Sequence, residues 1–502
     1  MPSDVAHVPT CALWGLETAL VTVEADVANG LPAFSIVGLP DTAVSEARER
    51  VRAAIRNSGF EFPLRRIVVN LAPAERRKEG TGFDLAIALA ILRASGQLQA
   101  DVDGLCLGEL SLDGALRPIR GTMPRVLRAI DAGIGRAYLP AENASEAAAL
   151  GSEAIPLCSL RAGVEHLEGR ARVAAAPPPP AGTEPSWEVD LADIAGQGTA
   201  KRALEITAAG GHNLLLIGPP GTGKTMLARA LPSILPPLER GDALLASVIH
   251  SVAGSLDPEH PLLVAPPFRT PHHTASRLAL VGGGVPPRPG EVSLAHGGVL
   301  CLDELGEFSP RVLETLREPL EEGRVTISRA GAVATYPARF TLVAAENPCP
   351  CGRLGDPAGE CTCLPDQIAR YRARLSEPLL DRIDLRVAVP RVPYRELRTR
   401  EGRETSRAVR ERVVAAREPM RVRLAGTGRR LNAHLTPGEV ERVCALDEAG
   451  ERMISAAVSS RHLSARAYHR VLRVARTVAD LDGHDRLSID HVALALLLRG
   501  QV

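Results

Sequence analysis

The octapeptide GPPGTGKT at 218–225 restricts the fold of this chain more than any other segment. It fits the pattern G-x-x-x-x-G-K-[ST]. The apolar stretch before it predicts a strand, and MLARALPSI after it predicts a helix. In that setting the glycines let backbone N–H groups surround phosphate oxygens at a helix N-terminus. The motif therefore predicts a nucleotide-binding loop in an α/β domain with a parallel sheet.

A second apolar segment, GGVLCLDELGEF at 297–308, predicts a strand that ends in two acids. Asp303 is expected in the shell of a Mg²⁺ ion, and Glu304 is expected to polarise the water that attacks ATP. In the loop, Lys224 would reach the β- and γ-phosphates, and Thr225 would ligate Mg²⁺. The predicted ATP- and Mg²⁺-binding residues are Gly218, Pro219, Pro220, Gly221, Thr222, Gly223, Lys224, Thr225 and Asp303.

Three further residues are candidates for catalysis, each with a simpler alternative. Asn347 follows a third predicted strand and is placed to orient water, although a turn asparagine before proline has the same pattern. Arg382 lies among acids after a helix, where it would project into a neighbouring subunit's site or form local ion pairs. Arg466 begins an amphipathic helix, and it would contact nucleotide phosphate or belong to a solvated basic face.

Four cysteines fall close together in a glycine-rich loop at 349–363: Cys349, Cys351, Cys361 and Cys363. Four converging thiolates match the tetrahedral coordination of a structural Zn²⁺ ion. The alternatives are reduced thiols and redox-labile pairs, and a disulfide framework is the weaker interpretation in a reducing compartment.

Composition excludes some classes of protein. The 59 Lys+Arg residues balance 59 Asp+Glu residues, which excludes a uniformly basic, histone-like DNA binder but not a local basic surface. Residues 366–430 carry 18 Arg against nine Asp and Glu, which favours contact with a nucleic-acid backbone. Neither a signal peptide nor an apolar run of membrane-spanning length is visible, so we expect a cytoplasmic protein without membrane contact.

A proline-rich linker at 173–188 divides the chain. Before it, residues 1–172 alternate between predicted strands and helices, with a single strand expected over 105–112 (LCLGELSL). After it, residues 189–395 contain the nucleotide-binding loop, and residues 396–502 have a helical pattern to the end. The sequence thus predicts two α/β domains followed by a helical region.

The chain resembles the ComM/YifB family, the magnesium-chelatase-like AAA+ ATPases, over nearly its whole length. The resemblance is carried by AGQGTAKRALEITAAGGHNLLLIGPPGTGKTMLARALPSILPPL, FRTPHHTASRLALVGGG, PGEVSLAHGGVLCLDELGEF and LSEPLLDRIDL. It implies that residues 189–395 are an AAA+ ATPase core. It also implies that residues 396–502 are a helical lid of the magnesium-chelatase C-terminal type.

The resemblance also implies roles for single residues. Arg382 would be the arginine finger, Arg466 the sensor-2 arginine and Asn347 sensor 1. Residues 324–338 would form the presensor-1 hairpin, and 250–290 would contain the helix-2 insert. In this clade both insertions face the pore of a homo-oligomeric ring, usually a hexamer.

The N-terminal domain resembles the protease domain of Lon and the similar domain of RadA, through segments 76–96 and 107–133. Lon uses a serine nucleophile and a lysine base, but Gly82 and Met123 take those positions here. Without the Ser/Lys dyad there is no nucleophile, so we expect a non-proteolytic domain used for ring assembly or DNA contact. The RRK run at 76–78 is either a basic loop or a solvated charge run.

Taken together, the resemblance implies an ATP-driven hexameric motor that drives branch migration of recombination intermediates, as in natural transformation. The alternatives are a chaperone-like ATPase that remodels proteins or metal-chelatase complexes, and a DNA-binding scaffold with a vestigial site. In the RTPHHT segment of the insert, Arg269, His272 and His273 are expected to contact DNA backbone or to make structural hydrogen bonds.

Overall fold

In a computed structural model of the chain, the described residues are 5–180, 187–329, 332–357, 359–398, 402–461 and 463–500. The N-terminal strands are β1 (Ala6–Trp14), β2 (Glu17–Ala28), β3 (Ala33–Val37), β4 (Arg66–Ala72), β5 (Leu105–Cys106), β6 (Glu109–Leu110), β7 (Leu116–Arg117), β8 (Arg136–Pro140) and β9 (Glu153–Leu157). The N-terminal helices are α1 (Thr42–Asn57), α2 (Asp84–Ala94), α3 (Thr122–Asp131), α4 (Ala144–Ala148) and α5 (Leu160–Leu167).

The N-terminal part forms around α2, whose side chains are apolar on all sides and almost entirely buried. This helix packs on β1, β2 and α1. The main sheet has the order β1-β2-β4-β3, with β3 parallel to β4 and the other pairs antiparallel. A second, parallel sheet has the order β5-β8-β9. The predicted α/β class of this part is confirmed.

The strands of this part differ from the sequence prediction in two places. The strand β1 was not foreseen, because its HVPTCALW sequence mixes proline and polar residues. The single strand expected over 105–112 is wrong: the structure has β5 and β6, separated by Gly108 at a φ of 150°. The Gly108 N–H donates to the carbonyl of Gly82 and not to a neighbouring strand, which ends the pairing.

The strands of the central part of the chain are β10 (Leu214–Ile217), β11 (Phe268–Arg269), β12 (Gly282–Gly283), β13 (Arg288–Pro289), β14 (Val299–Leu302), β15 (Arg324–Arg329), β16 (Ala332–Pro337), β17 (Thr341–Glu346) and β18 (Leu385–Ala388). Its helices are α6 (Gly198–Gly210), α7 (Lys224–Ile234), α8 (Arg240–Ala253), α9 (Arg277–Val281), α10 (Glu291–Leu294), α11 (Pro310–Glu314), α12 (Arg317–Glu322), α13 (Pro365–Arg372) and α14 (Glu377–Leu380).

The central sheet of this part has the order β11-β14-β17-β10-β18, and every pair in it is parallel. Parallel strands place all their carboxyl ends at one edge, which is where ligands bind in open α/β sheets. Two antiparallel hairpins, β12–β13 and β15–β16, stand outside the sheet. The hairpin predicted over 324–338 corresponds to β15–β16, and its expected turn at Gly331 lies outside the described residues.

The C-terminal part is helical, as expected. Its helices are α15 (Tyr394–Arg398), α16 (Ser406–Arg423), α17 (Pro437–Val443), α18 (Glu448–Arg461), α19 (Ala465–Leu481) and α20 (Ile489–Arg499). Helices α16 to α20 share one hydrophobic core with α6, α7 and the sheet, whereas α15 contributes no buried residue. Across the described part of the chain, none of the helices combines the length and the apolar character needed to cross a bilayer.

The N-terminal part contacts the central part of the chain directly. The N–H groups of Gly121 and Met123 donate to the backbone oxygen and the side-chain hydroxyl of Ser251, at 2.9 and 3.2 Å. The turn between β1 and β2 lies against the β15–β16 hairpin, since a Cβ at Gly15 would sit 2.8 Å from that of Ala334. Of the linker expected at 173–188, residues 173–180 have no regular structure and 181–186 lie outside the described residues.

Candidate nucleotide site

The nucleotide-binding loop connects the end of β10 to the start of α7, as the motif predicts. Two glycines are needed for its shape. A Cβ at Gly218 would lie 2.2 Å from the carbonyl oxygen of Val389, so only glycine fits beside that backbone. Gly223 precedes α7 with a φ of 92°, a conformation that other residues rarely adopt. The loop therefore presents its N–H groups and the N-terminus of α7 to one space.

Lys224 is buried, and its ammonium is held between two parts of the site. Nζ donates to the carbonyls of Gly218 and Pro219, at 2.7 and 2.9 Å, and to Oδ1 of Asn347 at 3.1 Å. Burial lowers the pKa of Lys224, and the nearby carboxylates of Asp303 and Glu304 oppose that shift. The structure thus brings Lys224 and Asn347 together, although they are 123 positions apart in the sequence, because β10 and β17 are neighbours in the sheet.

The oxygen donors expected for Mg²⁺ are adjacent. Thr225 Oγ1 donates to Asp303 Oδ2 at 2.7 Å, and Asp303 Oδ1 accepts from the Glu304 N–H at 3.0 Å. A hydroxyl and a carboxylate beside a phosphate-binding loop are the ligand type that Mg²⁺ takes in such sites, so these residues fit the ion. Glu304 adopts a left-handed backbone with a φ of 52°, and its side chain is 58% exposed. Its carboxylate is accessible to water.

Strand order explains why these residues meet. The loop follows β10, Asn347 follows β17, and the Asp303–Glu304 pair follows β14. These three strands are neighbours in the parallel sheet, so their carboxyl ends share one edge. The segment after β17 then closes over the loop, since a Cβ at Gly352 would lie 2.6 Å from Cδ of Pro220.

Arg382 and Arg466 lie elsewhere. The carbonyl of Arg382 accepts from the side chain of Asn213 at 2.8 Å, and Asn213 precedes β10, at the sheet edge opposite the loop. Burial lowers the pKa of Arg382, and the positive charges of Arg317, Arg466 and Arg470 contribute to the shift. These four arginines therefore form a cluster, which we call the arginine cluster, away from the chain's own nucleotide-binding loop.

The arginine cluster is incompletely neutralised within the chain. Arg382 pairs with Glu321 and donates to the carbonyl of Pro378, but its buried Nε has no hydrogen-bond acceptor. Arg466 is exposed at the start of α19. Local ion pairs of Arg382 with Asp381 and Asp384 were the alternative interpretation, but Arg382 pairs with Glu321 and Asp384 binds Arg470 at 2.6 Å. Such a cluster is suited to an anion from outside this chain.

The four cysteines of the 349–363 loop converge. Their sulfur atoms all lie within 4.8 Å of one another. The sulfur of Cys351 is 3.4 Å from that of Cys349, and the sulfur of Cys361 is 3.7 Å from each of these two. Tetrahedral Zn²⁺ with bonds of about 2.3 Å separates its sulfurs by about 3.8 Å, so the four thiols fit this ion. A backbone N–H from Cys351 also donates to Sγ of Cys363 at 3.4 Å. The remaining cysteines stand apart from this cluster.

The arginine excess in 366–430 is largely used inside the fold. Arg412 pairs with Glu205 at 2.6 Å, and Arg423 pairs with Asp480 at 2.6 Å. Both acids come from other segments, which a count along the sequence could not anticipate. In the N-terminal part, Lys78 is buried and donates to the carbonyl of Pro73, so it does not belong to an exposed basic loop.

One contact at the site was missed by sequence reasoning. Nδ1 of His273 lies 3.5 Å from Oε2 of Glu304. The only signal was the unusual RTPHHT segment, and the order of the strands was needed to place it beside β14. The neighbouring Arg269 pairs with Glu291 through two bonds, at 2.7 and 2.9 Å, and thus does not face outward.

Comparisons with known proteins agree with this geometry. Residues 190–397 match the magnesium chelatase family, subunit ChlI; residues 23–143 match the ChlI subunit family of Mg-chelatase; and residues 403–499 match the ChlI C-terminal family. The protein YifB of Salmonella typhimurium is 45% identical over 99% of this chain and 97% of its own length.

Competence protein ComM of Haemophilus influenzae is 44% identical over 99% of this chain and 98% of its own length. The DNA replication licensing factor Mcm3 of Drosophila melanogaster is 33% identical over 28% of this chain and 14% of its own length. With near-complete coverage by the first two relatives, the chain belongs to the ComM/YifB family of magnesium-chelatase-like AAA+ ATPases.

Proposed function

We propose that this AAA+ ATPase is a cytoplasmic motor that works as a hexameric ring on DNA and drives branch migration of recombination intermediates. The observation that carries the DNA assignment is a pair of adjoining hairpins with exposed apolar side chains at their ends and exposed arginines beside the first of them. The names of two relatives support it, since one is a competence protein and the other a DNA replication licensing factor.

The two hairpins, β12–β13 and β15–β16, form one projecting unit. Tyr336 donates to the carbonyl of Pro287 at 2.8 Å, and Ile327 packs against Gly282. Segments 260–290 and 323–345, which contain the hairpins, hold six arginines and no Asp or Glu. Arg269 and Arg324 pair with Glu291 and Glu322 at the bases of the hairpins, at 2.7 and 3.0 Å. The exposed Arg277 and Arg288 are the arginines that favour contact with phosphate backbone regardless of base sequence.

Apolar side chains stand at the ends of these hairpins. Val285 is 87% exposed in the β12–β13 turn, and Val333 is 62% exposed on β16. Arg277 and Arg288 are exposed nearby. Apolar side chains flanked by cations can insert between bases while the cations hold the phosphates. We assign β15–β16 as the presensor-1 insertion and β12–β13 as part of the helix-2 insert. In the proposed ring, both hairpins face DNA.

In the proposed mechanism, each nucleotide is bound by one subunit and the site is completed by the next. The loop with Lys224 holds the phosphates, Thr225 and Asp303 hold Mg²⁺, and Asn347 and Glu304 position and deprotonate the attacking water. Bound Mg²⁺ would neutralise phosphate charge. The arginine cluster, with Arg382 as finger and Arg466 as sensor 2, would stabilise transition-state charge in the neighbour's site.

We assign residues 1–172 as a Lon-like domain without proteolytic chemistry and 173–188 as its linker. Residues 189–395 are the ATPase core and 396–502 its lid. A Cβ at Gly82 would meet Ile119 at 3.3 Å and the Arg125 guanidinium at 3.8 Å, while Met123 is buried at the contact with Ser251. We infer that this domain supports ring assembly.

The direct test is ATP-dependent conversion of a synthetic four-way DNA junction into duplex arms. We expect conversion by the native chain and none by Lys224→Ala, because that variant loses the cation at the phosphates. A gel of labelled junction and product arms measures the rate. Junction conversion that persists in Lys224→Ala, or ATP hydrolysis by the native chain without conversion, would contradict the proposal.

The second candidate function is remodelling of proteins or metal-chelatase complexes, and the match to the magnesium chelatase subunit families favours it. This second function predicts ATP turnover that is stimulated by a protein partner and is not changed by DNA. Comparing the stimulation of turnover by junction DNA and by unfolded protein separates the two candidates.

We also propose that the cysteine cluster holds one structural Zn²⁺ ion per chain. Its loop begins two residues after Asn347, and its Gly352 lies on Pro220 of the nucleotide-binding loop. The buried Asp356 pairs with Arg391 at 2.9 Å and ties the middle of the loop to the segment after β18. The ion would therefore hold the shape of the ATP pocket.

Purified protein is expected to carry about one zinc per chain, because four convergent thiolates form a closed tetrahedral site. Cys361→Ser should lower the zinc content and weaken ATP binding, and Cys158→Ser, an exposed cysteine outside the cluster, should change neither. Mass-spectrometric metal analysis and nucleotide titration measure both. A stable, ATP-binding native protein without metal would contradict the assignment.

A further inference from the structure

We propose that the N-terminal domain positions the two hairpins: its β1–β2 turn supports them on their buried side, so that load on the hairpins is carried into this domain. We call residues 13–16, around that turn, the supporting turn. The inference rests on the proposed DNA motor, and it gives a mechanical role to a domain for which we infer no proteolytic chemistry.

The β15–β16 hairpin depends on its neighbours for its position. It is a two-stranded ribbon outside the central sheet, and an isolated pair of strands is at best marginally stable in water. One face of the ribbon is buried, whereas Val333 on the other face is exposed. The buried side chains are Val325, Ile327, Ala334 and Tyr336. Whatever packs against this buried face therefore fixes the direction in which the hairpin projects.

The supporting turn packs against that face. Leu13 and Leu16 are partly buried in the hydrophobic core that contains the inner side chains of the hairpin. Between them, Gly15 has a φ of 62° in a two-residue turn. A Cβ at Gly15 would lie 2.8 Å from that of Ala334 and 3.4 Å from Oη of Tyr336. The contact is so close that a side chain at residue 15 would displace β16.

The support extends to the second hairpin. Oη of Tyr336 donates to the carbonyl of Pro287 at 2.8 Å, in the turn between β12 and β13. The N-terminal domain also holds α8, because the carboxylate of Glu146 accepts from the hydroxyl of Ser251 near the end of that helix. Helix α8 packs against β13. The domain thus contacts one hairpin directly and reaches the other through Tyr336 and α8.

The supporting turn is itself anchored in its own domain. Nε1 of Trp14 donates to the carbonyl of Arg77 at 2.7 Å, and the Arg76 guanidinium lies 4.5 Å from the centre of the Trp14 ring. Arg76 also pairs with Glu17 at 2.8 Å. From the turn, β1 and β2 run back as paired strands that pack on the buried helix α2. A load on the turn is therefore carried into the core of the domain.

These contacts separate the support from ATP chemistry. None of them involves a residue of the candidate nucleotide site. If the support is weakened, the hairpins yield under load while each nucleotide is still bound and hydrolysed. Hydrolysis should then continue with less movement of DNA, so that the number of junctions converted per ATP falls.

The test measures that number in Gly15→Ala, Leu16→Ala and the double variant Gly15→Ala/Ala334→Gly. We expect Gly15→Ala to lower it about five- to tenfold through overpacking against Ala334, with basal kcat and KM for ATP near native. The double variant should recover most of the loss, since Ala334→Gly removes the opposing methyl group. Leu16→Ala should lower the number about threefold. Leu112→Ala, at an exposed leucine of the same domain, should behave as native.

Hydrogen exchange of the β15–β16 amides measures the support without DNA, and we expect faster exchange there in Leu16→Ala with β14 and β17 unchanged. Native numbers of junctions per ATP in both single variants would overturn the inference. So would an equal loss of basal ATP turnover, or loss of the ring in light scattering, since the turn would then serve folding or assembly. If the native chain converts no junctions, the proposed function fails, and hydrogen exchange still decides whether the turn holds the hairpins.

Discussion

Replacing Arg382 by alanine is expected to lower ATP turnover by about 10³–10⁵-fold while leaving ATP affinity nearly unchanged. The residue lies in the arginine cluster, at the sheet edge opposite its own nucleotide-binding loop. It therefore contributes nothing to binding in its own subunit. Its partly unsatisfied guanidinium would stabilise the transition-state charge on a neighbour's γ-phosphate.

Mixing two inactive variants tests whether Arg382 acts across the subunit boundary. Arg382→Ala retains an intact nucleotide-binding loop, and Lys224→Ala retains the arginine. Rings that contain both should recover turnover at the interfaces where one supplies the loop and the other the finger. Arg370→Ala, an exposed arginine on α13, and Glu321→Gln, the partner of Arg382, serve as controls.

Near-normal turnover in Arg382→Ala would reject its role as the finger. If mixed rings form, as measured by light scattering, but show no recovery, the residue would act within its own subunit. A loss of turnover in Glu321→Gln as large as that in Arg382→Ala would instead indicate that the ion pair supports the local fold.

Local patterns predicted the strand, loop and helix of the candidate nucleotide site, because these parts are short and contiguous. The octapeptide specifies a strand, a loop and a helix within one stretch, and an acidic strand end is visible in GGVLCLDELGEF. What the sequence alone could not provide was the order of the strands. That order places Asn347 between the nucleotide-binding loop and the Asp303–Glu304 pair. It also places Arg382 beside Asn213, at the opposite ends of the strands from the loop.

Charge counts were the least informative part of the sequence. The excess of arginine in 366–430 predicts a basic surface, but several of its guanidinium groups meet acids from distant segments, such as Glu205 and Asp480. The acid-free stretches that form the two hairpins are shorter and less conspicuous along the chain. Tertiary structure decides which arginines face solvent, since a pair distant in sequence neutralises as well as a local one.

Glu304→Gln is expected to lower kcat by about 10²–10⁴-fold, because the amide cannot accept the proton of the attacking water. ATP binding should persist, since Lys224, Thr225 and Asp303 keep their contacts. The variant should therefore load ATP and junction DNA and remain in that state. Stopped-flow nucleotide binding, single-turnover hydrolysis and junction gels measure the three properties separately.

The matched control is Glu307→Gln, in the same short helical turn, where the carboxylate pairs with Arg374 at 3.5 Å and is 50% exposed. It should keep turnover close to native, because that carboxylate faces the surface arginine and not the water. Comparable loss in both variants would mean that the turn itself had been disturbed. Turnover that survives in Glu304→Gln would assign the base to another residue.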